Sequence, residues 1–139
     1  MRGINTARVV VGGLVAGLVI NVSEFILNMV VMGADMNAAM TRLNLPPVGG
    51  QAITVFVVLG FALGIGTIWL YAAIRPRYGA GPKTALCAGA AVWFFAYFYS
   101  GVGMLVMGMF PGRMMAVGMM WGLGEVLLAS VAGASLYSE

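Results

Sequence analysis

A chain of 139 residues that is 62% hydrophobic and only 8% charged, with four acids against seven bases, cannot clothe a soluble domain, in which about a quarter of residues carry charge. The mean hydropathy is +1.01. These values exclude a soluble globular domain, a disordered tail and a disulfide scaffold, and leave an integral membrane protein.

The net charge of +3 sits on bases that are too few and too scattered to bind a phosphate backbone, so no nucleic acid partner is expected. There is no His, which removes b-type haem and most zinc and copper sites. The single Cys87 lies in an apolar run and reads as a small membrane-buried filler. No cofactor is expected.

A membrane helix needs about 20 apolar residues. Four stretches qualify: 9–32, 51–74, 84–108 and 114–137. The first follows Arg2 and Arg8 but is too long for the apolar part of a signal peptide, so it reads as a retained span. Along it, Gly13, Gly17, Asn21, Glu24 and Asn28 share one side of a helix. In the following loop, Met36, Met40 and Leu43 have helical spacing, which predicts a short interfacial helix over 35–43, capped by Asp35.

The second span carries the pair Gly60 and Gly64 and ends in Trp69 and Tyr71, with Tyr78 in the loop beyond. Such rings favour the headgroup level. A loop from Arg75 to Lys83 is expected next, containing Pro76 and Pro82. The third span places Gly89, Trp93, Tyr97, Ser100 and Met104 on one face, where the rings of Trp93 and Tyr97 could hold a cation. After a turn at Pro111-Gly112-Arg113, the fourth span has a seam of Gly118, Gly122, Glu125, Ala129, Ala132 and Leu136. Small residues on such seams let helices approach closely in lipid.

Arg2, Arg8, Arg75, Arg77 and Lys83 fall on one side of the predicted membrane, and Arg42 and Arg113 on the other. The fold class is therefore an all-α, four-transmembrane-helix bundle with both termini cytoplasmic. Arg75, Arg77 and Lys83 would face anionic lipid headgroups, each contributing about 1 kcal/mol of attraction. Membrane lipids are the first expected partners, and a homo-oligomer or a larger membrane complex would be a further one.

Glu24 and Glu125 are the two charges inside the spans. An acid at mid-membrane costs about 2.5–3.5 kcal/mol on insertion scales, so it normally faces protein or water. At about 1.5 Å of rise per residue, Glu24 lies roughly 5 Å outward of Glu125. The two carboxyls meet if the first and fourth helices are neighbours, and both cannot then stay ionised in a low-dielectric site. Asn21 and Asn28 flank Glu24 by one turn each way and can hydrogen-bond it. The candidate ligand or proton site is thus Glu24, Glu125, Asn21, Asn28, Trp93 and Tyr97.

Twelve methionines are present, many toward the outer side. Thioethers bind Cu(I), but Met is also a flexible filler beside glycine. No repeated Met-x-x-Met ladder faces the acids, so no metal site is expected.

The stretches Asn21-Val22-Ser23-Glu24-Phe25-Ile26-Leu27-Asn28, Trp69-Leu70-Tyr71-Ala72-Ala73-Ile74-Arg75-Pro76-Arg77-Tyr78-Gly79 and Trp121-Gly122-Leu123-Gly124-Glu125-Val126 resemble a group of small bacterial four-helix membrane proteins known only as hypothetical proteins. That resemblance spans nearly the whole chain. It implies a multi-pass protein of the bacterial cytoplasmic (inner) membrane, and no activity.

In architecture alone the chain is similar to small multidrug resistance transporters. These also have four helices, a membrane Glu in the first and aromatics in the third, echoed by Glu24, Trp93 and Tyr97. It lacks their characteristic sequence around that Glu, and has a longer first loop and a second buried acid. Gly122-Leu123-Gly124-Glu125 does not make an intramembrane aspartyl protease, because the acid is Glu and no Tyr-Asp partner exists.

Two functions are consistent with these residues. One is a small carrier or binding protein for a proton, a cation or an amphiphilic ligand at an intramembrane carboxylate site. The other is a non-catalytic accessory or structural subunit of a larger membrane complex. An enzyme is not expected, since no nucleophile–base pair, metal set or phosphate loop accompanies the acids.

Overall fold

The structure is a computed structural model and describes residues 3–139. Every regular element among the described residues is helical. The first is α1, Thr6–Val31. A short α2, Gly33–Arg42, follows. Then come α3, Gly50–Tyr78, α4, Pro82–Val106, and α5, Gly112–Ala134. The four long helices have 26, 29, 25 and 23 residues and are long and apolar enough to cross a membrane. At about 1.5 Å per residue, even the shortest exceeds a hydrocarbon core of about 30 Å.

The ends of these helices follow local chemistry. α1 begins three residues before the expected span because Asn5 caps it, its side-chain oxygen accepting from the Arg8 N–H at 3.2 Å. α3 does not stop at residue 74 but continues through Pro76 to Tyr78. Proline removes one N–H and crowds the carbonyl four residues back, which in the last turn costs a single bond. The helix ends instead at Gly79, whose φ of +88° favours glycine. Pro82 then opens α4 at its first turn. Thr84 Oγ1 ties the connection by donating to the Gly79 carbonyl at 2.6 Å. The short helix predicted over 35–43 is present as α2, but Asp35 lies in its first turn and does not cap it.

The bundle is inverted relative to a soluble one. Val30, Phe95 and Val106 are 74%, 71% and 81% exposed, while α1 buries Gly12, Gly13, Ala16 and Gly17. Lipid is as apolar as leucine, so helices associate through close contact rather than through burial of large side chains. α1 packs between α3 and α5, and α4 closes the ring between the same two. At one end the helices touch backbone to backbone. A Cβ added to Gly13 would lie 2.5 Å from the Ile65 Cα, and one on Gly12 would lie 2.5 Å from the Gly133 carbonyl oxygen.

Both ends of the described chain meet at this tight end. The Asn5 N–H donates to the Tyr137 hydroxyl at 3.2 Å. Arg75 pairs with Glu139 at 3.0 Å and stacks its guanidinium over the Tyr137 ring, 5.5 Å from the centroid. Arg75 is thus turned toward the C-terminal segment, whereas Arg77 and Lys83 are exposed at the same end. Arg8 also lies here, and Arg2 lies outside the described residues. At the opposite end, Arg113 approaches Asp35 at 3.9 Å and Arg42 donates to the Met109 carbonyl. Because the Arg75–Glu139 pair is partly open to solvent, Arg75→Ala should lower the unfolding free energy by no more than about 1 kcal/mol. Denaturation in mixed micelles checks this.

Candidate functional site

Two of the long helices widen in their C-terminal halves. α1 is π-helical over Ile26–Val31 and α4 over Phe94–Phe98. Such turns are rare in helices and occur frequently at functional sites. Each sits beside polar residues from the sequence-predicted site. Within the first, Asn28 Nδ2 donates both to the carbonyl of Glu24, just upstream of the widened turn, at 2.8 Å and to Glu24 Oε2 at 2.9 Å. The amide therefore fixes the carboxyl against its own helix.

Within the second widened turn, Tyr97 reaches across to α5 and donates its hydroxyl to Glu125 Oε2 at 2.8 Å. Gly122, one turn before Glu125, makes room for that ring: a Cβ there would lie 3.2 Å from it. Glu125 is only 4% exposed, and its Oε1 has no hydrogen-bond donor. The Glu24 carboxyl and the Ser23 hydroxyl lie within interaction range of the Glu125 carboxyl. Ser23 Oγ in turn accepts from Trp121 Nε1 at 2.8 Å. A polar network thus crosses α1, α4 and α5 inside the membrane-spanning region.

Tyr97→Phe would leave a second buried carboxyl oxygen without a donor. Loss of about 1–3 kcal/mol of stability is expected, measurable by the same denaturation assay.

An open cleft of about 320 Å³ lies on the side of this network away from the termini. Its walls come from the C-terminal halves of α1 and α4, from α2, and from the start of α5. Glu24, Asn28 and Tyr97 belong to its lining, whereas Glu125 does not. The two acids are therefore inequivalent: Glu24 faces the cleft, and Glu125 sits behind the Tyr97 ring.

The structure brings together Glu24, Glu125, Asn28 and Tyr97 from the sequence-predicted set. Asn21 turns instead toward α3, where its Nδ2 donates to the Val57 carbonyl at 3.2 Å and its side chain fills the space left by Gly60. Trp93 does not border the cleft. Its indole N–H donates to the Met119 carbonyl at 2.9 Å and its ring packs on Phe98, so it ties α4 to α5. Sequence reasoning missed Ser23 and Trp121. The available signals were that Ser23 adjoins Glu24 and that Trp121 precedes Glu125 by four residues, on the same helix face.

The chain matches no family model, no curated protein and no solved structure. Its fold and site define a multi-pass helical membrane protein with a buried, hydrogen-bonded glutamate in one of its spans.

Proposed function

We propose that the protein is a small carrier or binding protein that exchanges a proton for a cation at the Glu24–Glu125 pair. The observation that supports this most directly is that Glu24 belongs both to the carboxyl pair and to the wall of the open cleft. Two adjacent carboxyls in a low-dielectric site do not both carry charge without a positive partner. A proton held between them supplies that charge in one state. A cation entering the cleft supplies it in the other, with the proton leaving as the cation binds Glu24.

Tyr97 keeps Glu125 hydrogen-bonded throughout, and Asn28 holds the Glu24 carboxyl in place. Intramembrane acids are frequent markers of ion paths and proton relays. The excess of basic residues at the tight end supports cytoplasmic termini, so that the cleft opens on the opposite side. A bacterial cytoplasmic membrane is the setting that the resemblance to small bacterial membrane proteins supports.

Reconstitution into vesicles containing a pH-sensitive dye tests this function. An inward gradient of a cationic probe, ethidium or a monovalent metal ion, should drive protons out of vesicles containing the unaltered protein and not out of vesicles containing Glu24→Gln. Equal proton movement with both proteins would rule the exchange out. No movement with either, together with fixed-ratio co-purification with other membrane proteins, would instead indicate an accessory subunit.

A further inference from the structure

The cleft beside Glu24 is lined by six of the chain's twelve methionines: Met32, Met36, Met104, Met114, Met115 and Met119. They are far apart in sequence and come from the α1–α2 junction, α2, α4 and α5. Met32 and Met114 are each 6% exposed and cluster with Met36 on one side. Farther along the wall, Met119 Sδ and the Met115 methyl pack toward Gly101 of α4, where a Cβ would lie 3.0 Å and 3.7 Å from them.

The chemistry of this wall is selective. Hard cations such as Ca²⁺ and Mg²⁺ demand six or more oxygen ligands, and the cleft offers few beyond Glu24, Asn28, Tyr97 and Ser100. Thioethers are soft, neutral donors that favour Cu(I) and its like-charged analogue Ag(I). Neutral ligands leave the charge of a monovalent ion uncompensated, and the single cleft-facing carboxylate of Glu24 matches that charge. Met side chains have three rotatable bonds, so sulfurs from different elements of the lining can converge on one ion.

We propose that the cleft binds a soft monovalent metal ion, Cu(I) or Ag(I), through methionine thioethers, with Glu24 as the counter-charge. The proposal rests on the same cleft-facing Glu24 as the exchange function above and names the cation. No oxidation or reduction is involved.

The test is titration of the purified full-length protein in mild detergent with Ag(I) by calorimetry, and with Cu(I) under anaerobic conditions against a coloured Cu(I) chelator. Two triple variants are compared. Met36→Leu/Met104→Leu/Met115→Leu removes thioethers from the cleft. Met29→Leu/Met107→Leu/Met120→Leu removes three that lie outside it and are 60%, 75% and 67% exposed. Met-to-Leu exchange conserves volume and is well tolerated in packed interiors, and circular dichroism confirms that both variants remain folded.

The unaltered protein and the outer triple should bind the ion alike, and the cleft triple about tenfold or more weakly. Equal binding by both triples, or no binding by the unaltered protein, would overturn the metal assignment. If ethidium-driven proton release survives in that case and disappears in Glu24→Gln, the exchange function stands and the occupant is an organic cation. If Glu24→Gln changes neither metal binding nor proton release, both proposals fail.

Discussion

Glu24→Gln should abolish cation-driven proton release while leaving the bundle intact. Glutamine keeps the shape of the side chain and one oxygen to accept from Asn28 Nδ2, which now bonds Glu24 Oε2 at 2.9 Å. Glu24 is half-buried at the cleft wall, so the change opens no cavity in a packed region. What disappears is the exchangeable proton and the negative charge facing the entering cation. A loss of about tenfold or more in cation affinity is expected, equivalent to at least ~1.4 kcal/mol, with the denaturation midpoint close to that of the unaltered protein. Glu125→Gln should behave differently. Cation binding in the cleft persists, because Glu125 does not line it, but fewer protons are released per cation bound. If the two variants were equivalent, the division of roles between a cleft-facing and an enclosed acid would be lost.

The second large effect is on folding. Gly12→Ala should destabilise the bundle by about 1–3 kcal/mol, the usual cost of overpacking a filled interior. A methyl at this position would sit 2.5 Å from the Gly133 carbonyl oxygen and 3.2 Å from the Ile68 side chain. The first neighbour is backbone and cannot swing aside, so α1 and α5 must separate. That separation would also loosen the helix pair that carries the two acids. Gly66→Ala is the matched control. It lies in α3 with nothing within 4 Å of its added methyl, and alanine favours a helix over glycine by about 1 kcal/mol. Denaturation in mixed micelles should therefore show a clear drop for the first change and none for the second.

Much of this architecture was legible in the sequence. Each long helix announced itself as about 20 apolar residues, because lipid demands that length. The helix ends were less legible. A Pro flanked by arginines reads as a loop, yet Pro76 falls where a helix can spare the bond, and the positive φ of Gly79, not the proline, ends α3.

The site was legible in part for a similar reason. At about 100° per residue, Asn28 and Asn21 lie about 40° and 60° to the same side of Glu24, so angular spacing alone does not separate them. They differ in height by about 10 Å along the axis: Asn28 sits in the widened turn and bonds the carboxyl, while Asn21, below it, meets the Val57 carbonyl of α3. Trp93 and Tyr97, one turn apart on α4, part company in the same way: one caps a backbone carbonyl, and the other reaches Glu125. The cleft itself left no local trace. It depends on the widened turns of α1 and α4 and on methionines brought together from separate helices. A search for repeated Met-x-x-Met spacing looks along one helix and cannot register thioethers that meet between helices.

The most direct test of the paired acids is a double-mutant cycle on stability. The unfolding free energies of the unaltered protein, Glu24→Gln, Glu125→Gln and the double variant give the coupling between the two side chains. Groups that share a proton or a hydrogen-bond network are coupled by about 0.5–3 kcal/mol, while independent ones add within about 0.5 kcal/mol. A coupling clearly above that limit is expected for the Glu24–Glu125 pair. Simple additivity would mean that the two carboxyls do not act on each other and that no common site exists between α1 and α5.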